Sequence, residues 1–177
     1  MTIRTPRLML RELTVADVSD DYVAWLNDRE VSRFLETRLS AQDTGTVCDF
    51  VERVAARDDE FLFGIFLHDG RHIGNIKVGP IRSHHAVADV SLLIGARDCW
   101  GKGYACEAIE AVSRHAFESL GVRKLSASMY APNEGSRRAF LKAGYAEEGR
   151  RRRHYMLDGE PCDLIELGLL PEDFDKA

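Results

Sequence analysis

Two glycines separated by one lysine, Gly101-Lys102-Gly103, join an apolar strand pattern to a long amphipathic helix pattern in "LLIGARDCWGKGYACEA". A tight turn at a helix start needs one glycine. Two leave the backbone bare where the first-turn amides have no intrahelical acceptor. Such a turn either eases a chain reversal against a sheet or seats a phosphate or pyrophosphate on its amides. The spacing is not that of the ATP-binding loop G-x-x-x-x-G-K-[ST]. It is not the dinucleotide pattern G-x-G-x-x-G either, because the third position falls on Cys106.

The surrounding periodicities set the architecture. Residues 7–13 alternate as a first strand. In "TVADVSDDYVAWLN", Thr14 can cap a helix whose Val18, Tyr22, Trp25 and Leu26 form one stripe, and a second helix is expected over residues 40–57. "FLFGIFLHDGRHIGNIKVGPI" reads as strand, Asp69-Gly70 turn and strand, and "AVADVSLLIG" as a fourth strand. After the glycine turn a helix runs to about Leu120, followed by the strand "KLSASMY" and a helix over residues 134–143 that Gly144 terminates. A last hairpin turns at Asp158-Gly159. The pattern predicts an α/β fold with a mixed, mostly antiparallel sheet flanked by helices and one strand–helix–strand crossover.

Length and composition exclude several classes. A chain of 177 residues, 45% apolar and 30% charged, suits a single domain over residues 1–177. A net charge of −5 argues against a nucleic-acid partner. "MTIRTPRLMLREL" lacks the apolar run of a signal peptide, and no segment approaches the roughly 20 apolar residues of a membrane span. A cytoplasmic protein without a membrane partner is expected. Cys48, Cys99, Cys106 and Cys162 are scattered without a C-x-x-C pair and read as isolated buried thiols; with His84-His85 the only close histidine pair, no metal site is read.

"WGKGYACEA" followed by "NEGSRRAFLKAGYAEEG" resembles the GNAT superfamily of acetyl-CoA-dependent N-acetyltransferases. It is most similar to the branch that acetylates ribosomal-protein N-termini, diamines and aminosugars, and the likeness runs from "TPRLMLREL" to the last hairpin. The resemblance implies a V-shaped splay between the fourth and fifth strands, with acetyl-CoA as cosubstrate. Leu92, Leu93 and Ile94 would offer backbone groups to its pantetheine arm. Gly101, Lys102, Gly103, Tyr104, Ala105 and Cys106 would bind its pyrophosphate. Trp100 stands where many members have Gln or Arg, and reads as a packing residue beside the loop. Without the family, Asn133 and Ser136 read as capping residues. With it, Asn133 would meet the pantetheine amide and Ser136 the sulfur. Arg137 and Arg138 either reach the adenosine phosphates or are solvated.

An acetyl thioester is already activated, so direct attack by a neutral amine suffices. The chain must align the reactants, polarise the carbonyl and return a proton to the thiolate. Many members place a tyrosine seven residues after the asparagine; here that position is Phe140. Ser136 is therefore the expected thiolate stabiliser, with Tyr145 and Tyr130 as alternatives. Asp89 shares a strand face with Ser91 and is the candidate base. The acceptor side is expected to include Trp25, Asn27, Arg33 and Glu36 from "VAWLNDREVSRFLETR", with His84 upstream of the fourth strand. That segment resembles enzymes acting on nucleotide-linked aminosugars. In "RRRRH", Arg151 and Arg153 would share one strand face, either solvated or near a phosphate.

The expected function is acetyl transfer to a small-molecule or peptide amine. A nucleotide-linked aminosugar stands first and a ribosomal-protein-type N-terminus second, with a homodimer left open. A catalytically silent acyl-CoA sensor is the alternative from another class.

Overall fold

The expected strands are all present, and a short one precedes them. The computed structural model describes residues 1–174. The strands are β1 (Thr2–Arg4), β2 (Leu8–Glu12), β3 (Phe61–Leu67), β4 (His72–Val78), β5 (Val87–Ile94), β6 (Lys124–Tyr130), β7 (Ala146–Leu157) and β8 (Glu160–Leu169). The helices are α1 (Asp20–Asn27), α2 (Thr44–Ala55), α3 (Tyr104–Ser119), α4 (Glu134–Lys142) and α5 (Pro171–Phe174). One sheet runs in the order β1-β2-β3-β4-β5-β6-β8-β7. Among the described residues only β5 and β6 pair in parallel, the crossover between them being α3.

Strand alternation decides what covers each face. Leu62 and Phe66 of β3 point to one side and pack with Tyr22 and Leu26 of α1 and with Val47, Val51 and Val54 of α2. Phe63 and Ile65 point to the other and join Ile109, Val112 and Ala116 of α3 with Phe140 of α4. The two valine and alanine stripes recur at helical spacing, so burying them against the sheet stabilises helix and sheet together.

Local chemistry corrects two sequence expectations. Thr14 caps only a 3-10 turn, Val15–Asp17, and α1 starts five residues later than expected under Ser19, whose hydroxyl accepts from the Tyr22 amide. Asp17 ends the first turn because Arg11 of β2 holds it through both guanidinium Nη atoms, at 2.8 and 2.5 Å. The same guanidinium lies 4.2 Å from the Phe66 ring centre. The arginine-rich stretch does not alternate as expected either. A register shift between Arg151 and Tyr155, with Arg153 at φ 51°, breaks the pattern along β7. Arg150 pairs with Asp163 and Arg151 with Glu166.

The Asp69-Gly70 and Asp158-Gly159 turns form as expected, with Gly70 at φ 89° and Asp158 and Gly159 at 52° and 83°. All four cysteines are free, but only Cys99 and Cys106 are buried. No helix among the described residues is long and apolar enough to cross a membrane.

The Arg11 guanidinium, donating to it from both sides, holds the Asp17 carboxyl at about 2, below its usual 3.8. A depressed folded value means that the pair stabilises the fold above pH 3.8 and that this contribution is lost as pH falls toward about 2. Asp17→Asn should therefore lower Tm near neutral pH, and its gap from wild type should close through that acid window. Thermal melts across the window check this; a gap independent of pH would refute it.

Candidate active site

The site begins where a parallel ladder stops. β5 pairs with β6 at Val87, Ala88 and Asp89, opposite Lys124, Leu125 and Ser126, and no further. From Val90 onward β5 stays with β4, while β6 from Ala127 onward stays with β8. The splay expected between the fourth and fifth strands is thus present. On the β4 side, Gly79 donates to Asp89, and Gly95 to Ile73. Antiparallel alternation therefore turns the amides and carbonyls of Leu92 and Ile94 toward the gap. Trp100 Nε1 takes the Ile94 carbonyl at 2.7 Å, so this residue is a tether between turn and strand beyond a packing contact.

The glycine turn stands at the mouth of the gap. Gly101 has φ 73° and Gly103 has φ 83°, left-handed values that side chains disfavour. Gly103 is the residue preceding α3 and has no side chain to cap it, so the first-turn amides lack a side-chain acceptor. A Cβ on Gly101 would meet nothing within 4 Å, and one on Gly103 only the tip of Arg7 at 3.4 Å. The protein leaves this space open beside a row of unclaimed donors, the geometry of an anion seat.

A groove of about 380 Å³ connects these parts. Leu92, Leu93 and Ile94 form one wall, Gly101 and Ala105 the mouth, and Asn133, Gly135 and Ser136 at the start of α4 the other wall. Val31, Phe34 and Leu35 form the roof. Asn133 Oδ1 accepts from the Ser136 amide at 3.3 Å, so it caps α4 while facing the groove. Both sequence readings of Asn133 are compatible with this placement. Behind Leu93, under α1 and α2, lies a second cavity of about 570 Å³, which shares Leu35, Leu92 and Leu93 with the groove.

The family model of the acetyltransferase (GNAT) domain matches residues 7–146. The chain belongs to the GNAT family. Among relatives of this GNAT acetyltransferase, the uncharacterized N-acetyltransferase YoaA of Bacillus subtilis is 29% identical over 164 residues, covering 91% of this chain and 92% of its own. The probable N-acetyltransferase YjcK of the same organism is 31% identical over 180 residues, covering 96% and 97%. The crystal structure of spermidine N-acetyltransferase from Vibrio cholerae, in complex with CoA and spermine, superposes with a TM-score of 0.86 at 19% identity, over 96% of this chain and 99% of that one. At that identity the likeness shows the GNAT fold.

Several expected site residues lie elsewhere. Asp89 is the last paired residue of β5; Ser126 Oγ donates to it at 2.6 Å and Arg82 pairs with it at 3.2 Å. It clasps the closed end of the splay and does not line the groove. Tyr145 is 3% exposed, bonded to Ser113 at 3.1 Å and packed edge-on against Phe140, itself buried. Burial pushes its phenol above the ordinary range, so it is a core residue with no path to the groove. His84 is exposed on the β4–β5 loop against His85. The Cys106 thiol is turned onto Glu110 while its amide stays in the first turn of α3, and Arg137 pairs with Glu147.

Of the expected acceptor residues, Asn27 and Arg33 line one outer hollow, while Trp25 and Glu36 lie apart from it. Trp25 packs onto Gly95, where a Cβ would come within 2.0 Å of its ring. Asn27 is spent on Gln42, donating to its carbonyl and accepting from its amide. Arg33 pairs with Asp158, and Glu36 accepts from Tyr130 Oη.

Sequence reasoning missed Arg7. Its Nε donates to Glu107 at 2.6 Å, its Nη1 to the Lys102 carbonyl at 2.8 Å, and its guanidinium lies over the Tyr104 ring. Its backbone amide and the Thr5 hydroxyl also donate to Glu107. The segment before β2 thus holds the glycine turn from outside, a contact across about a hundred residues that no local pattern announces. Arg7→Ala should free that turn. Amide hydrogen exchange of Glu107, whose N–H donates to the Gly103 carbonyl at 3.2 Å, is expected to rise roughly tenfold while core protection stays unchanged. Unaltered exchange there would show that Arg7 does not restrain the turn.

Proposed function

We propose that this acetyltransferase carries acetyl from acetyl-CoA to a primary amine by direct attack, with the donor in the splay between β5 and β6. The observation that carries the reading is the juxtaposition of unpaired strand edge and uncapped glycine turn along one groove. The first-turn amides from Gly101 to Cys106 would hold the diphosphate, and the inward peptide groups of Leu92 with the Ile94 N–H the pantetheine arm. Acetyl-CoA supplies an acyl group already activated as a thioester.

The protein's own share is alignment and charge stabilisation. The amine nitrogen bonds to the carbonyl carbon, the carbon–sulfur bond breaks, the ammonium loses a proton and the sulfur gains one. An inward N–H from Leu92 or Ile94 stabilises the oxygen that gains charge; such a donor contributes about 3–4 kcal/mol. Ser136, its hydroxyl without a partner among the described residues, serves the departing sulfur. Phe140, standing where many members have a tyrosine, is a core residue, so its lack of a hydroxyl removes nothing from the groove.

The acceptor is a small amine. The outer hollow beside α1 has Arg29, Arg33 and Arg38 in its lining, which favours a nucleotide-linked aminosugar as the second reading. Arg38 is already bonded to Leu35, Tyr130 and Met156, and Arg33 to Asp158, which leaves Arg29 alone to meet a phosphate.

Gly103→Glu would strain a left-handed position and set a carboxylate beside the diphosphate seat. Calorimetry should show acetyl-CoA affinity down roughly hundredfold or more; undiminished affinity would refute the assigned seat. Ser136→Ala should lower kcat about 10- to 100-fold with the KM for acetyl-CoA unchanged. Thiol-release kinetics check this, and an unchanged kcat would remove Ser136 from the chemistry.

A further inference from the structure

The cavity behind Leu93 has polar features that the transfer reading does not use. Asn75 of β4 lines it and is 5% exposed. His72 Nε2 contacts both the Gly74 carbonyl and Asn75 Oδ1 at 2.9 Å. A carbonyl can only accept, so Nε2 must carry the proton, and Asn75 must present its oxygen to it. The other branch, Nδ2, is buried without an acceptor, and so is Thr37 Oγ1 in the same lining. Buried donors without partners are rare and costly in folded proteins. Two along one cavity point to a ligand that supplies oxygen.

Charge narrows the ligand further. The charged residues lining this cavity are Asp49, Arg53 and Lys77, the last paired with Glu60 at 2.8 Å. One carboxylate against two cations cannot compensate several ammonium groups. Most of the remaining lining is apolar, with Leu26, Val47, Phe50, Leu62 and Leu93 prominent.

Resting on the acetyl-transfer reading, we infer that the acceptor is a monoamine with an apolar body and a carbonyl-type oxygen near the amine, gripped through that oxygen by Asn75, and not a polycation. The apolar body fills the space between Phe50 and Leu62, and the amine meets the groove at Leu92 and Leu93, which line both cavities. His72 acts as a positioning residue, because its proton sets which way the Asn75 amide faces.

The test compares phenylalaninamide, 2-phenylethylamine (the same body without the carboxamide) and spermidine in a CoA-release assay, each expressed on its neutral-amine concentration. Wild type should favour phenylalaninamide over 2-phenylethylamine in kcat/KM by roughly 5- to 150-fold, the range for leaving a buried donor unmet, with spermidine poorest. Asn75→Leu, which leaves His72 its Gly74 acceptor, should bring that ratio to about one with acetyl-CoA affinity unchanged.

A wild-type ratio near one, spermidine as the best acceptor, or a ratio that survives Asn75→Leu would each overturn the inference. If Asn75→Leu does not fold, the wild-type ratio decides alone. No turnover of any of the three amines, with acetyl-CoA still binding in calorimetry, would sink the acceptor assignment and leave the donor reading standing. Loss of acetyl-CoA binding in wild type would defeat the donor reading itself.

Discussion

Parallel pairing between β5 and β6 lasts only three residues, and the rest of the site depends on that short contact. Ser126 and Arg82 anchor Asp89 at its last rung, so the two strands are held together at one end and free at the other. Past that rung each strand satisfies its outer edge with a different neighbour, β4 or β8, and turns its inner edge to the gap. Unpaired backbone in a sheet interior is costly unless something else meets it. Here the cost is confined to a few peptide groups, which are left facing the groove.

The mouth of the gap is held from several directions. Trp100 ties the turn back to Ile94, and Arg7 with Glu107 ties it to the segment before β2. The roof, residues 30–35, is flanked by the Asn27–Gln42 bonds on one side and by Glu36, which accepts from Tyr130 of β6, on the other. Residues expected to touch an acceptor thus flank the roof of the groove. Their polar groups are engaged within the protein, and the cavity behind Leu93 takes its polarity from β4.

Legibility followed range. The glycine turn and α3 were readable because spacing along one segment places them together, whereas Asn133 and Ser136 read locally as a helix cap and only the family resemblance pointed them at a cofactor. Leu92, Leu93 and Ile94 were expected from the family resemblance, and the pairing of β5 with β4 shows which of them face the gap. Asp89 and Tyr145 misled because a titratable residue near a motif looks functional until its partners are known, and those partners, Ser126 and Ser113, come from other elements. Asn75 did leave a trace, as a polar residue inside the apolar strand "HIGNIKV".

By itself the sequence determined the order of elements, both Asp-Gly turns and the bare backbone at Gly101 and Gly103, because each is set by spacing within a few residues, and its paired motifs carried the resemblance to the family. Only the tertiary structure decided where the strands part, which carboxylates and hydroxyls are spent on internal partners, and which cavity adjoins the groove. Those depend on contacts between segments tens of residues apart, and a linear pattern carries no record of which side chain reaches which.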